Sequence, residues 1–358
     1  MLLKKLLIIY ILINSPFSIS AADPKPQLIY KSNSVIWGFT FINTNEIIIS
    51  EKSGKLGLFM VNSRQYREIN HNIPFSVHGQ GGLLDVAYDS NIMTLFITYA
   101  KKTKPNLYTT ALASGKYSED TSSINFKEIF VSKAESTKGV HFGSRIALDK
   151  KNRQMYITIG DRGLRNRAQD LAFHNGKILR LTYNGDAVST NPFYNKKNAL
   201  PEIFSYGHRN PQGIYIRKDG HIFISEFGPK GGDEINIILP GKNYGWPLAT
   251  YGKEYSGANI APTHHPGTEQ PVVWYVPAIS PSGMTIYEHD YFPQWTGQIF
   301  MGALSARHLH RLNIIHGKND QKVKMYSELN KRIRHVSYND IGQMFFSTDH
   351  GELYIISK

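Results

Sequence analysis

Four stretches of the chain carry residue types that could do chemistry. The first is a pair. His141-Phe142-Gly143-Ser144-Arg145 runs into an apolar strand pattern, and Ile157-Thr158-Ile159-Gly160-Asp161-Arg162-Gly163 leaves the next one. A His and an Asp at corresponding strand ends can meet, and a His beside a carboxylate is the raw material of a general base. A His ahead of a strand serves equally as a turn or cap residue. The second stretch is Tyr206-Gly207-His208-Arg209-Asn210-Pro211-Gln212-Gly213. The planar fork of Arg209 suits a carboxylate or a developing oxyanion, or it ties loops together. The third is Glu226-Phe227-Gly228-Pro229-Lys230-Gly231-Gly232-Asp233-Glu234-Ile235-Asn236. Adjacent carboxylates in a Gly-rich loop, with carbonyls from Gly228 and Pro229, suit an oxygen-seeking cation such as calcium. A turn that merely uses Asp and Gly reads the same way. The fourth is Lys331-Arg332-Ile333-Arg334, with both arginines on one face of a strand. Together with Arg209 and Arg307 they suit a polyanionic small ligand, or else a salt-bridged strand face.

Other chemistries are excluded. There is no G-x-S-x-G elbow, no P-loop, no H-E-x-x-H and no EF-hand loop. Gly79-Gln80-Gly81-Gly82-Leu83-Leu84 approaches a dinucleotide fingerprint, but Leu84 breaks it and no βαβ pattern surrounds it. The chain has no Cys, which removes thiolate metal sites, thiol nucleophiles and disulfides. His308 and His310 point the same way from a strand and read as ordinary surface or lining histidines.

The elements that must position these residues are strands. Helical periodicity is scarce, and short alternating apolar runs broken by Gly, Asn, Asp and Pro recur throughout. They group into six units of three strands, beginning near positions 36, 83, 144, 213, 283 and 334. Repeated antiparallel units of this size predict an all-β, six-bladed β-propeller. A strand over 27–31 precedes the first unit and is expected to pair with the last, closing the ring and removing an exposed edge. The alternative is a β-sandwich or two all-β domains, but no Pro/Gly/Ser-rich linker divides the chain. The longest insertions fall at 115–140, 161–176 and 227–282, and loops on a rigid scaffold are where sites are built.

Composition agrees. Of 358 residues, 41% are apolar and 12% aromatic, which excludes disorder for most of the chain. The formal charge of +13 comes from lysines scattered in small groups, so no nucleic-acid footprint is expected. Lys4 and Lys5, an apolar run over 6–13 and Ala21-Ala22 have the form of a signal peptide over residues 1–22. That run is too short to span a bilayer. The expected mature chain, 23–358, is one propeller domain, exported to the periplasm or secreted, as a monomer or homodimer.

The set as a whole resembles the soluble glucose/sorbosone dehydrogenase family, and most closely its periplasmic aldose sugar dehydrogenases, which use pyrroloquinoline quinone (PQQ). The resemblance rests on residues 206–213 and 228–236 and on Gly241-Lys242-Asn243-Tyr244-Gly245-Trp246-Pro247. Gly160-Asp161-Arg162-Gly163, Ala168-Gln169-Asp170 and Gly176-Lys177-Ile178-Leu179-Arg180 add to it. It implies a six-bladed propeller that oxidises the C1 hydroxyl of an aldose and passes electrons to an external acceptor. It implies His141 as general base and Asp161 as its supporting acid. Arg209 and Asn210 would lie over the reactive carbonyl of PQQ, Gln80 and Tyr255 would contact the cofactor, and Arg332 and Arg334 would bind its carboxylates. Gly228 and Pro229 would give carbonyls to a calcium against PQQ. Glu234 and Tyr244, joined by Asp233, would serve a second, structural calcium. The family's PQQ-contacting Lys is replaced by Ser305-Ala306-Arg307, where Arg307 would supply the charge. Two other functions fit a propeller of this kind. They are a calcium-dependent lactonase or other hydrolase, and a non-catalytic module binding a glycan or anionic partner.

Overall fold

The computed structural model describes residues 23–119, 122–314 and 321–358. The expected signal peptide lies outside the described residues. No described helix is long and apolar enough to cross a membrane.

Six four-stranded antiparallel sheets form the six blades of a β-propeller. Blade 1 starts at Ile36–Phe41, blade 2 at Leu83–Asp89 and blade 3 at Ile146–Asp149. Blades 4, 5 and 6 start at Pro211–Ile216, Pro281–Ile286 and Ile333–Tyr338. All six units expected from the repeats are present. Each of the first five blades also has a short outer strand that the repeat pattern did not show, such as Gln65–Glu68 in blade 1 and Val273–Tyr275 in blade 4. The sixth blade takes its outer strand from the other end of the chain. Pro26–Lys31 pairs antiparallel with Glu352–Ile356, so the expected ring closure holds.

Strand alternation explains how the blades stack. Ile47 and Ile49 pack toward blade 6 with Phe345 and Leu353, while Ile48 between them packs toward blade 2 with Leu83 and Val86. Phe345 and Phe346 likewise face opposite neighbours. Each blade is therefore apolar on both faces, and each of the six blade junctions has its own buried cluster. This is why the strands read as apolar runs.

The inner strands meet at a guanidinium. Arg145, 1% exposed, donates from Nε to Gln212 O (2.8 Å) and from Nη1 to Trp37 O (3.2 Å) and Asp85 Oδ1 (3.0 Å). Nη1 also reaches His335 Nδ1 (3.1 Å), and Nη2 reaches Arg334 O (2.8 Å). Its fork thus joins blades 1, 2, 4 and 6 to its own blade 3. Blade 5 closes on it with Gly283, where a Cβ would stand 2.3 Å from His335 Nδ1 and 3.1 Å from Arg145 Nη2. Trp37, Gln212 and Arg334 line one axial space, and Asp85 and His335 line another. Arg145 is the partition between them. Arg145→Met is expected to destabilise the fold by about 3–5 kcal/mol, because it leaves the Asp85 carboxylate buried without its partner. Denaturant unfolding checks this, and a midpoint equal to wild type contradicts it.

Candidate active site

The inner end of blade 3 carries the expected pair. His141 Nδ1 lies 2.7 Å from Asp161 Oδ1. Asp161 Oδ1 also accepts Gly163 N–H, and Oδ2 accepts the indole N–H of Trp246 at 2.8 Å. With three donors on one buried carboxylate, the charged form wins. Burial alone raises the Asp161 pKa, but the bonds and charge of His141, the Gly163 amide and Arg209 outweigh it, so it lies below the ordinary value. His141 also lies below its ordinary value. Burial drives that shift, Asp161 opposes it, and the charges of Arg209 and Arg162 add to it. The imidazole is therefore neutral at pH 7. The bond to Asp161 places its proton on Nδ1 and leaves Nε2 as the free base. His141 holds φ = 52°, a conformation that side chains rarely adopt, and its amide donates to Gln80 Oε1 at 2.8 Å.

Gln80 leads into the axial cavity, about 200 Å³, lined among others by Trp37, Phe142, Asn210, Arg332, Arg334 and Asp349. Arg332 and Arg334 do share a face. Asp349 takes Arg332 Nε at 2.8 Å and Arg334 Nε and Nη2 at 2.7 and 3.0 Å. Two guanidiniums against one carboxylate leave a net positive charge, and these bonds use only part of their donors. The cavity thus has a cationic wall and flat apolar surfaces in Trp37 and Phe142. These residues fit a planar, polycarboxylated group such as PQQ.

Next to it lies the Gly-rich loop of blade 4. Arg209 donates its main-chain N–H to Glu226 Oε2 (2.9 Å) and its Nη1 to Gly228 O (2.7 Å). The main-chain carbonyl of Arg209 accepts Asp161 N–H at 2.7 Å, so the loop and the His–Asp pair form one network. Gly228 must be glycine here, since a Cβ would stand 2.2 Å from the carbonyls of Gly231 and Gly232. A small polar cavity beside it is lined by Glu226, Glu234, Gly228, Tyr244 and Trp246. Asn236 Nδ2 spans both carboxylates at 3.1 Å each, and Asn236 Oδ1 is a buried acceptor without a partner among the described residues. Burial, with repulsion from Glu226, pushes the Glu234 pKa well up. Two facing carboxylates and an orphaned amide oxygen fit a hard divalent cation. Among the described residues no three His, Asp or Glu side chains converge on one point, so the remaining ligands would be carbonyls or water.

The structure therefore brings together His141, Asp161, Arg209, Asn210, Gln80, Arg332, Arg334, Gly228 and Glu234. It places three others away from both cavities, and Tyr244 at the small one. Tyr255 is 73% exposed, and it does not line the cavity. Arg307 is exposed and donates to Asn330 Oδ1 at 3.3 Å; Leu304 of the same segment lines the cavity instead. The Tyr244 hydroxyl is consumed, donating to Ile237 O and accepting from Leu239 N, so only its carbonyl is left to offer. Asp233 accepts the amides of Gly228, Ile279 and Ser280 and ties the loop down instead of facing the small cavity. Pro229 keeps its place beside Gly228, and its ring stands 2.7 Å from where a Cβ on Gly252 would be. His308 and His310 are buried and bonded to each other at 3.0 Å, with Tyr275 on His310 at 3.2 Å.

Three residues bonded to the candidate site were not assigned: Trp246, Glu226 and Asp349. Trp246 and Glu226 fall inside conspicuous motifs, so a signal was there. Asp349 sits in a plain turn ahead of the last strand, and nothing in its spacing marks it.

The six-bladed propeller and its axial cavity have counterparts among known proteins. The chain belongs to the glucose/sorbosone dehydrogenase family, whose profile matches residues 33–356. It is 34% identical over 332 residues to aldose sugar dehydrogenase YliI of Escherichia coli (strain K12), covering 90% of this chain and 89% of that one. A crystal structure of a glucose dehydrogenase superimposes with a TM-score of 0.89 at 33% identity, over 94% of this chain and 99% of the other. The PQQ-bound aldose sugar dehydrogenase of Streptomyces coelicolor shares the fold, with a TM-score of 0.74 at 22% identity over 94% of this chain and 99% of the other.

Proposed function

We propose that this chain oxidises the C1 hydroxyl of an aldose to the lactone, with PQQ and calcium as cofactors and an external electron acceptor. The observation that carries this reading is the Trp246–Asp161–His141 chain, which presents a neutral base beside a cavity with a cationic wall. Arg332 and Arg334 would hold the PQQ carboxylates, with Gln80 and Asn210 at its edge. Gly228 and Pro229 would give carbonyls to one calcium, and Glu226, Glu234 and the Tyr244 carbonyl would serve a second. When bound, PQQ supplies the two-electron acceptor for the C1 hydride, and calcium polarises its oxygens.

The residues of the chain do the rest. His141 Nε2 takes the hydroxyl proton as the C1 hydride leaves, so one proton and one hydride depart and the C1–O bond becomes a carbonyl. Asp161 holds the imidazole tautomer and stabilises the imidazolium, and Trp246 keeps the carboxylate aimed. Arg209 offers a fixed positive charge where negative charge develops. Export through residues 1–22 would put this chemistry in the periplasm or outside the cell.

A spectral titration of the purified chain with PQQ in calcium buffer tests the binding half. Wild type is expected to bind, and Arg334→Gln is expected to weaken binding by roughly 10-fold or more, the loss of a charge-assisted pair. No binding by wild type overturns the assignment of the cavity.

A further inference from the structure

Arg162 follows Asp161 in sequence, yet no catalytic or binding role above uses it. Its side chain is fully buried. Among the described residues it bonds to no carboxylate. Nη1 donates to Val140 O, and Nη2 donates to Lys138 O at 3.1 Å and Tyr108 O at 3.3 Å. Its guanidinium lies 3.4 Å from the centre of the Phe142 ring. Nε is buried and finds no acceptor among the described residues. A buried charge without an ion-pair partner costs free energy, and its retention calls for a reason.

The partners supply the reason. Val140 and Phe142 are the two chain neighbours of His141, and Lys138 lies in the same turn. One guanidinium therefore grips the peptide before the imidazole and the ring after it. It does so where the backbone is least at ease, since His141 and Arg162 hold φ of 52° and 57°. We propose that Arg162 is the positioning residue for His141: its fork clamps the turn that carries the imidazole, and it sets a fixed positive charge near the ring. This rests on His141 being the base of the reaction.

The charged groups around the imidazole are Asp161, hydrogen-bonded to it, and Arg209 and Arg162, which oppose its protonation. Lys177 lies behind Asp161, caged by the carbonyls of Arg167, Ala168 and Asn175, while Asn175 holds the Asp161 carbonyl. Removing the Arg162 charge leaves Asp161 less opposed, so the His141 pKa must rise. Turnover needs the neutral imidazole, so the acidic limb of the rate profile must move to higher pH.

The test is an NMR titration of the His141 ring in the purified chain, which needs neither PQQ nor sugar, alongside the pH profile of kcat/KM. Arg162→Met is expected to raise the His141 pKa, move the acidic limb with it, and lower kcat more than it changes KM. Arg162→Lys keeps the charge but cannot fill the carbonyl cage. It is expected to leave the pKa in place and cut kcat roughly 10-fold, the cost of a misplaced base. A folded Arg162→Met with unchanged pKa and acidic limb overturns the proposal. So does Arg162→Lys with wild-type kcat, which decides the matter even if the Met variant does not fold. If the dehydrogenase reading is wrong, the NMR shift persists with no sugar turnover in wild type.

Discussion

His141→Gln is expected to lower turnover by about 10²–10⁴-fold while PQQ binding stays at the wild-type level. The expectation comes from what His141 touches. Its Nδ1 is engaged by Asp161 and its amide by Gln80, so Nε2 is the ring atom left free, beside a cavity that Gln80 and Phe142 line. The residues assigned to the PQQ carboxylates stand on blade 6, tied to Asp349, and the substitution leaves them in place. Stopped-flow reduction of the bound cofactor by sugar, beside the PQQ titration, checks both halves. Turnover within a few-fold of wild type removes His141 as the base. Loss of PQQ binding makes it a binding residue instead.

Calcium is expected to raise the melting temperature of the wild-type chain by roughly 5 °C at a hundredfold excess over its dissociation constant, and chelation to reverse the gain. The driving force is visible at the Gly-rich loop. Glu226 and Glu234 face one small cavity, with only Asn236 spanning them. A divalent cation there replaces repulsion with attraction. Glu234→Gln removes one charge and one ligand together. Under chelation this variant is expected to melt no lower than chelated wild type, and to gain nothing when calcium is added. Differential scanning calorimetry on both proteins checks this. A calcium response that survives in Glu234→Gln moves the cation elsewhere.

The contrast between what was and was not legible has a physical basis. Apolar alternation is local, so the three inner strands of every unit, and the closing strand near residue 27, could be read from the chain. Outer strands such as Val273–Tyr275 are short, and the outer Gln65–Glu68 is polar and half exposed, so neither repeats the inner pattern. The His141–Asp161 pair was legible because both residues sit at the ends of neighbouring strands. Trp246 and Glu226 were not assigned, because their partners lie 85 and 17 residues away, across loops whose paths no local rule fixes. Tyr255 and Arg307 show the reverse case. Their positions resemble those of cofactor residues, but each sits in an exposed turn that does not bring its side chain to the cavity. Tyr244 lines the small cavity, and which of its atoms is free to face a cation was not legible, since its hydroxyl is spent within its own loop.

The most direct test of the central claim is dye reduction by the purified mature chain, supplied with an aldose panel. Reduction that requires PQQ and calcium together, and that stops when either is withheld, is the predicted result. Bound PQQ without reduction by any aldose, or reduction that proceeds without PQQ, would contradict it.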